Sequence, residues 1–293
     1  MFSIIGIVVV LGAIAGGYLL EHGNLLVLMQ PAELLIIGGA GLGTLLIANP
    51  LPITIGVLKG ILGVFSANRY SKDFYLATLA MLNDLFMKAR KGGMANLESD
   101  VEKPEESELF NKHEKVAKEH HAIGFICDTL RIVMTGNISP FELDQMLELD
   151  LEVHHKEISQ PATALVSLAD SLPGLGIVAA VLGVVITMGA LGGPPAEIGH
   201  KVAAALVGTF LGILLCYGFF SPFAVNMAKA NEAESQYFNC LRVGLLTFIR
   251  GASPLIALEF ARRSIPNGVR PTFQELEETL RGKPVTEEPA AAA

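Results

Sequence analysis

Two long uncharged runs, Ser171–Ala196 and Val202–Ala228, constrain the fold of this chain most strongly. Each run exceeds the about 20 apolar residues that a helix needs to cross a hydrocarbon core of about 30 Å. The break between them, 192–201, opens with two glycines and two prolines and contains three ionisable side chains. This pattern predicts a hairpin of two transmembrane helices.

Small residues, rather than leucine alone, make up much of both runs, and neither run's membrane span contains Asp, Glu, His, Lys or Arg. Glycine and alanine let helix backbones approach closely in lipid, where no hydrophobic force holds helices together. We therefore expect these helices to pack against others in an oligomer. Without an ionisable group, neither helix can carry a proton or another ion across the bilayer alone.

Two further uncharged runs lie near the N-terminus, Phe2–Leu20 and Leu34–Leu58. The second span is expected to end near Asn49, because Pro50 and Pro52 follow. With 51% hydrophobic and 17% charged residues and a mean hydropathy of +0.49, the composition is typical of a polytopic membrane protein with a substantial polar part.

The distribution of lysine and arginine predicts the orientation. Of 21 such residues, 12 lie between Pro50 and Asp170 and eight lie after Ala228. Because lysine and arginine mark the cytoplasmic side, both termini and the central loop are predicted to be cytoplasmic. The net charge of −8 does not indicate a nucleic-acid partner.

The predicted fold is all-α, with four transmembrane helices and a helical cytoplasmic domain formed by the central loop and the C-terminal tail. An apolar stretch after Pro52 is too short for another span and predicts an interfacial helix. The predicted parts are a first transmembrane hairpin (1–50), the interfacial helix with cytoplasmic helices (51–170), a second transmembrane hairpin (171–228), and a helical tail with a disordered end (229–293).

Local signals predict helices in the cytoplasmic part. Asp73–Arg90 has a helical apolar period and ends in cations before Gly92-Gly93. A second helix is predicted from Glu105 to about Thr135. Capping boxes at Ser139–Glu142 and Thr272–Glu275 predict two further helix starts.

Glu33 lies just before the second span, near its outer end. From the residues alone it is interpreted as an acid at a helix N-terminus, where the macrodipole favours it, with a role in ion uptake as the alternative. The histidines at 113, 120, 121, 154 and 155 lack the spacing of a metal site. No nucleophile elbow or phosphate-binding loop is present, so neither an enzyme nor a bound cofactor is expected.

Four segments carry a resemblance to a known family: Gln30–Leu34, Asp170–Ala180, Val207–Gly212 and Arg270–Glu277. They resemble the MotA family of flagellar stator subunits, and the match extends to about Arg281. The resemblance implies a homo-oligomeric ring, a pentamer, in a bacterial inner membrane, around a pair of helices from a MotB-type partner, with the second hairpin lining an ion path. That partner would supply the membrane aspartate, the proton would be the coupling ion, and the ring would push the rotor protein FliG.

The same resemblance assigns the candidate ion path. Pro173 and Pro222 match the prolines that flank the path, and Thr209 and Ala180 match residues that line it. Sodium-driven relatives have threonine at the positions of Ala180 and Gly208. This chain keeps only Thr209, and a desolvated hard cation needs several oxygen ligands, so protons are favoured over sodium.

Arg90 and Glu98 match the charges with which the family contacts the rotor. From the residues alone they would be a cation at a helix end and a solvated acid. Three alternatives stay open: a sodium-driven stator, an energiser of the ExbB/TolQ type for an outer-membrane system, and a passive membrane scaffold or channel. The stator interpretation assumes that this chain forms a neutral sleeve, and a buried carboxylate of its own facing the path would contradict that assumption.

Overall fold

The computed structural model describes residues 2–66, 69–189 and 192–281, which fold into helices without strands. Short 3₁₀ turns lie at Met94–Leu97 and Pro104–Glu106, and a π-helical segment lies at Leu214–Phe220. The α-helices are α1 Phe2–Leu20, α2 Leu25–Leu28, α3 Pro31–Ala48, α4 Leu51–Gly63, α5 Lys72–Gly92, α6 Glu98–Glu102, α7 Glu108–Asn111, α8 Glu114–Ala117, α9 His120–Met134, α10 Pro140–Met188, α11 Pro195–Ile213, α12 Ser221–Ile249, α13 Pro254–Ser264 and α14 Phe273–Leu280.

Four helical stretches of the described chain are long and apolar enough to cross a membrane, so the predicted all-α class with four such helices is confirmed. The stretches are Phe2–Leu20, Leu25–Ala48, Pro140–Met188 and Pro195–Ile249. The second begins nine residues before the predicted Leu34, and the third is one continuous helix that already runs for 31 residues before Ser171.

The chain divides into two compact units, which we call the membrane unit (Met1–Ala67 and Lys156–Asn231) and the polar unit (Asn68–His155 and Glu232–Ala293). The predicted boundaries differ from this division. Both α4 and the stretch 156–170, predicted with the cytoplasmic part, group with the membrane unit. The physical reason is packing: Gly56 of α4 lies against the ring of Pro161, where an added β-carbon would come within 2.8 Å.

The polar unit has an aromatic core. Tyr237 is fully buried, and its ring lies 5.0 Å from that of Tyr70 and 5.2 Å from that of Phe74. Farther along α5, the ring of Phe86 stacks on that of Phe248 at 4.3 Å. The helical period predicted for α5 therefore corresponds to its buried face.

Several predicted helix ends are confirmed. α5 carries two cations in its last turn and stops at Gly93, whose φ of 77° favours glycine. The Glu142 amide donates to Ser139 Oγ, and the Ser139 amide donates to the Glu142 carboxylate at 2.9 Å, which is a capping box. Thr272 and Glu275 form the second box at the start of α14.

The single helix predicted from Glu105 to about Thr135 is wrong, because the structure has three helices there, α7, α8 and α9. Side chains hold the turn between the first two of them. Lys112 Nζ and His113 Nε2 lie 2.6 Å and 3.1 Å from one carboxylate oxygen of Asp84 on α5. The predicted disordered end, beyond Gly282, lies outside the described residues.

Candidate ion path and rotor-contact residues

Helices α10 and α11 meet through a seam of small residues. A β-carbon added at Gly176 would lie 2.8 Å from the Gly208 carbonyl oxygen, and one added at Gly183 would lie 2.9 Å from Ala205 Cα. At Gly212 an added β-carbon would lie 2.6 Å from the Leu172 carbonyl oxygen. The two backbones are therefore in direct contact, as small-residue packing in membranes predicts.

Ala180 and Thr209 lie at the same level of this seam. An added β-carbon on Gly208, next to Thr209, would lie 3.2 Å from the Ala180 amide nitrogen. Thr209 is half-buried, and within the described residues its hydroxyl makes no hydrogen bond. Thr187 on the same hairpin differs, because its hydroxyl donates to the Gly183 carbonyl at 2.8 Å. The Thr209 hydroxyl is thus free to bond a water or an ion.

The two prolines predicted to flank the path lie apart in a single chain. Pro173 is half-buried inside α10, next to the Leu172 carbonyl that meets Gly212. Pro222 is exposed near the start of α12, directly after the π-helical segment, and it follows Gly212 by ten residues, about 15 Å of helix. One chain therefore places Ala180 and Thr209 at the same level of the seam, and the two prolines at different levels.

Glu33 lies where the helix-end interpretation predicts, but its burial was not predicted. Since α3 begins at Pro31, Glu33 lies in its first turn, as the helix-end interpretation predicts, but its side chain is only 7% exposed. Its Oε2 atom would lie 2.7 Å from a β-carbon on Gly208, at the level of Ala180 and Thr209. Sequence reasoning missed this burial because the contact with α11 leaves no local pattern.

This chain therefore contributes a buried carboxyl beside the residues of its candidate path, where the sequence analysis assumed a neutral sleeve. Among the described residues, Glu33 Oε2 is the only buried side-chain oxygen or nitrogen without a hydrogen bond. A buried carboxyl that faces the path would contradict the assumption on which the sequence-based stator interpretation depends. The family assignment below is independent of it, since it depends on comparison over the whole chain.

Arg90 and Glu98 are both exposed in the polar unit, in the last turn of α5 and at the first residue of α6. Neither makes an ion pair within the described residues. Their neighbours differ: Lys88 Nζ lies 2.6 Å from buried Asp100, which also accepts a hydrogen bond of 2.7 Å from the Ser107 hydroxyl. Asp100 thus stabilises the fold, whereas Arg90 and Glu98 point to solvent.

The side chains of His113, His154 and His155 bond nearby side chains. His113 contacts Asp84, and His154 Nε2 lies 3.0 Å from Glu234. Partial burial acts to raise the pKa of Asp84, but bonds from Lys112 and His113 outweigh it and hold that pKa below its usual value. No group of three or more metal-binding side chains occurs in the described ranges.

Comparison with known proteins defines the class. The family model for the Motility protein A N-terminal region matches residues 4–93, and that of the MotA/TolQ/ExbB proton channel family matches residues 111–239. Among solved structures, the chain is similar to C. jejuni MotAB, with a TM-score of 0.72 and 19% identity over 90% of this chain and 95% of that one. The flagellar MotAB stator complex of Bacillus subtilis gives a TM-score of 0.66 and 22% identity over 87% and 92%. The fold is that of a polytopic stator-type membrane subunit.

Curated relatives narrow the assignment. Motility protein A of Escherichia coli (strain K12) is 42% identical over 281 residues, which cover 96% of this chain and 95% of the relative. Motility protein A of Salmonella typhimurium is 41% identical over the same shares, and the chemotaxis protein LafT of Vibrio parahaemolyticus is 37% identical over 96% and 98%. The chain therefore belongs to the Motility protein A family. It is a flagellar stator subunit of the bacterial inner membrane and not an enzyme.

Proposed function

We propose that this chain, together with a MotB-type partner, conducts protons across the inner membrane and converts the flow into torque on the rotor protein FliG. The observation that carries the proposal is the arrangement of α10 and α11 at Ala180, Gly208 and Thr209. There two helices meet backbone to backbone, and a threonine hydroxyl without a bond in the described chain lies beside the contact. A mostly apolar surface that carries one hydroxyl able to exchange its proton suits proton transfer along it.

The number of oxygen ligands supports protons over sodium. At this level the described side chains offer two groups with oxygen ligands, the Thr209 hydroxyl and the Glu33 carboxyl. The sequence alone indicated only the first of them. These remain fewer than the set of oxygens that a desolvated hard cation requires. A proton needs only one group that can bind and release it. Swimming speed that is insensitive to external sodium at fixed pH is expected, and strict sodium dependence would contradict this part.

The exposed apolar surface of the membrane unit supports assembly into a ring with a partner. No residue of α1 is buried, and α10 exposes Ile177, Val181 and Val185. Lipid or other chains must cover these faces. We propose five copies around two MotB-type helices, with the partner supplying an aspartate. Native mass measurement of the purified complex tests this count, and a ring without the partner would contradict it.

Exposed charges without ion pairs in the described chain support contact with FliG. Complementary charges set the register and encounter rate of an interface more than its affinity, which suits contacts that form and break repeatedly. The charge distribution further supports a cytoplasmic position for both termini and the polar unit. The rotor then lies on the same side as Arg90 and Glu98.

Charge reversal tests the rotor contact. Arg90→Glu should stop motility without destabilising the chain, and a reversed charge on FliG should restore it. Lys115→Glu is the matched control, because Lys115 is also exposed and makes no ion pair in the described part of the polar unit. Equal loss for both variants, or no rescue by FliG, would contradict the contact and favour an energiser of an outer-membrane system.

A further inference from the structure

The Glu33 carboxyl occupies a notch in the membrane unit that only a glycine leaves open. Gly208 forms the floor, where an added β-carbon would lie 2.7 Å from Glu33 Oε2 and 3.2 Å from both Ala179 Cβ and the Ala180 nitrogen. Gly208 lies seven residues beyond Lys201, the last ionisable side chain of α11, which is about 10 Å of helix. The carboxyl therefore lies below the polar end of the hairpin.

Two opposing effects act on the charge of this carboxyl. Burial without a hydrogen bond to Oε2 disfavours the ionised form, since a buried charge without a partner is costly, above all in a membrane. The position in the first turn of α3 favours the ionised form, because the helix N-terminus attracts negative charge. A group subject to both effects can change its charge readily, as a proton carrier must.

We propose that Glu33 is a proton-exchanging group of the ion path, contributed by this chain and seated in the notch at Gly208. This inference rests on the proposed function. The ionised carboxyl takes a proton from water that arrives at the outer end of the path and becomes neutral. It then releases that proton to water beside Thr209, on the way to the partner's acid. Only O–H bonds form and break, and the net charge is conserved in each step.

Replacement of the carboxyl in the complete stator with its partner tests this role. Glu33→Gln keeps the shape and removes proton exchange, so the motor speed near zero load should fall about tenfold or more. Stall torque per stator should stay unchanged, because it depends on the free energy of each ion and not on the transfer rate. Glu33→Asp should retain most of the speed. The control Glu21→Gln changes an exposed acid near the same end and should have no effect.

A second set of variants tests the notch itself. Gly208→Ala should displace the carboxyl and slow the motor. When Glu33→Ala is already present, adding Gly208→Ala should reduce the speed little further. The two effects on speed should therefore differ from independent effects by about fivefold or more. Gly212→Ala is the matched control, because its β-carbon would meet the Leu172 backbone and not the Glu33 carboxyl. The loss of speed in Gly212→Ala should therefore be the same with Glu33 or Ala at position 33. If Gly208→Ala and Glu33→Ala reduce the motor speed independently of each other, the proposed seat of the carboxyl at Gly208 is wrong.

A carbodiimide reagent tests the wild-type complex without any variant, since it modifies neutral carboxyls in apolar surroundings. Mass spectrometry should find the adduct on Glu33 and not on the exposed Glu21 and Glu197. No adduct on Glu33, or normal speed in Glu33→Gln, would overturn the proposal while leaving proton-driven rotation intact. Failure of the proposed function is recognised separately, by wild-type motors that do not follow the proton gradient.

Discussion

Gly212→Ala should separate the two central helices of the membrane unit. An added β-carbon at this position would lie 2.6 Å from the Leu172 carbonyl oxygen, 2.9 Å from Gly176 Cα and 3.2 Å from Gly176 N. All three atoms belong to the backbone, so no side chain can rotate away. To reach an ordinary contact of 3.4 Å, the helices must move apart by about 0.8 Å, a gap that already forfeits a quarter to a half of each dispersion contact.

The expected cost follows from that displacement. Overpacking of a tight interior typically costs about 1–3 kcal/mol, whereas alanine is favoured over glycine in a helix by up to about 1 kcal/mol. Gly212→Ala should therefore be destabilising despite its better helix propensity. Gly199→Ala is the matched control on the same helix, because an added β-carbon there meets nothing within 4 Å. It should be neutral or slightly stabilising.

The assay is reversible unfolding of the purified complex by a denaturing detergent, followed by circular dichroism. Gly212→Ala should be less stable than Gly199→Ala by about 1–3 kcal/mol, because the gain in helix propensity is common to both variants and cancels. Equal stability of the two variants would refute the direct backbone contact between α10 and α11, and with it the geometry of the candidate path.

Three further predictions concern the polar unit and the path. Ser107→Ala should destabilise the polar unit by about 2 kcal/mol in thermal unfolding, because it removes the hydrogen bond to buried Asp100, and a neutral effect would contradict that bond. A hydrogen bond from Arg262 lowers the pKa of Glu259 from 4.5 to about 2, so the stabilisation is fully present above about pH 4.5 and is lost as the pH falls through 2. Glu259→Gln should therefore lower the melting temperature at pH 7 but not near pH 2, and a difference that persists at low pH would count against this pair. Thr209→Val should abolish motility while leaving the melting temperature unchanged, since the hydroxyl makes no hydrogen bond in the described chain.

The sequence predicted those parts of the fold that depend on neighbouring residues. Helix caps at Ser139 and Thr272 and the stop at Gly93 depend on side chains within three residues, and the structure has all of them. Hydropathy located four membrane helices, because length and composition suffice for that prediction. It could not show that α10 continues unbroken from Pro140 into the membrane, since a change from polar to apolar composition does not end a helix.

The rest depended on contacts between distant segments. Hydropathy excluded Glu33 from the second span because it marks where an apolar run starts and not where a helix starts. Burial of that carboxyl requires Gly208, which is 175 residues away in the sequence. The π-helical segment before Pro222 also lacks a local signal, although a proline without an amide hydrogen suits the disturbed hydrogen bonding that follows it. The roles of Pro173, Ala180, Thr209 and Pro222 remain predictions from the resemblance.

The most direct test of proton-driven torque is the rotation of single motors that contain this chain and its MotB-type partner, with the proton and sodium gradients varied independently. Motor speed should follow the proton-motive force and stay unchanged when the sodium gradient is removed. Rotation that follows the sodium gradient, or that persists after the proton-motive force is collapsed, would contradict proton-driven torque.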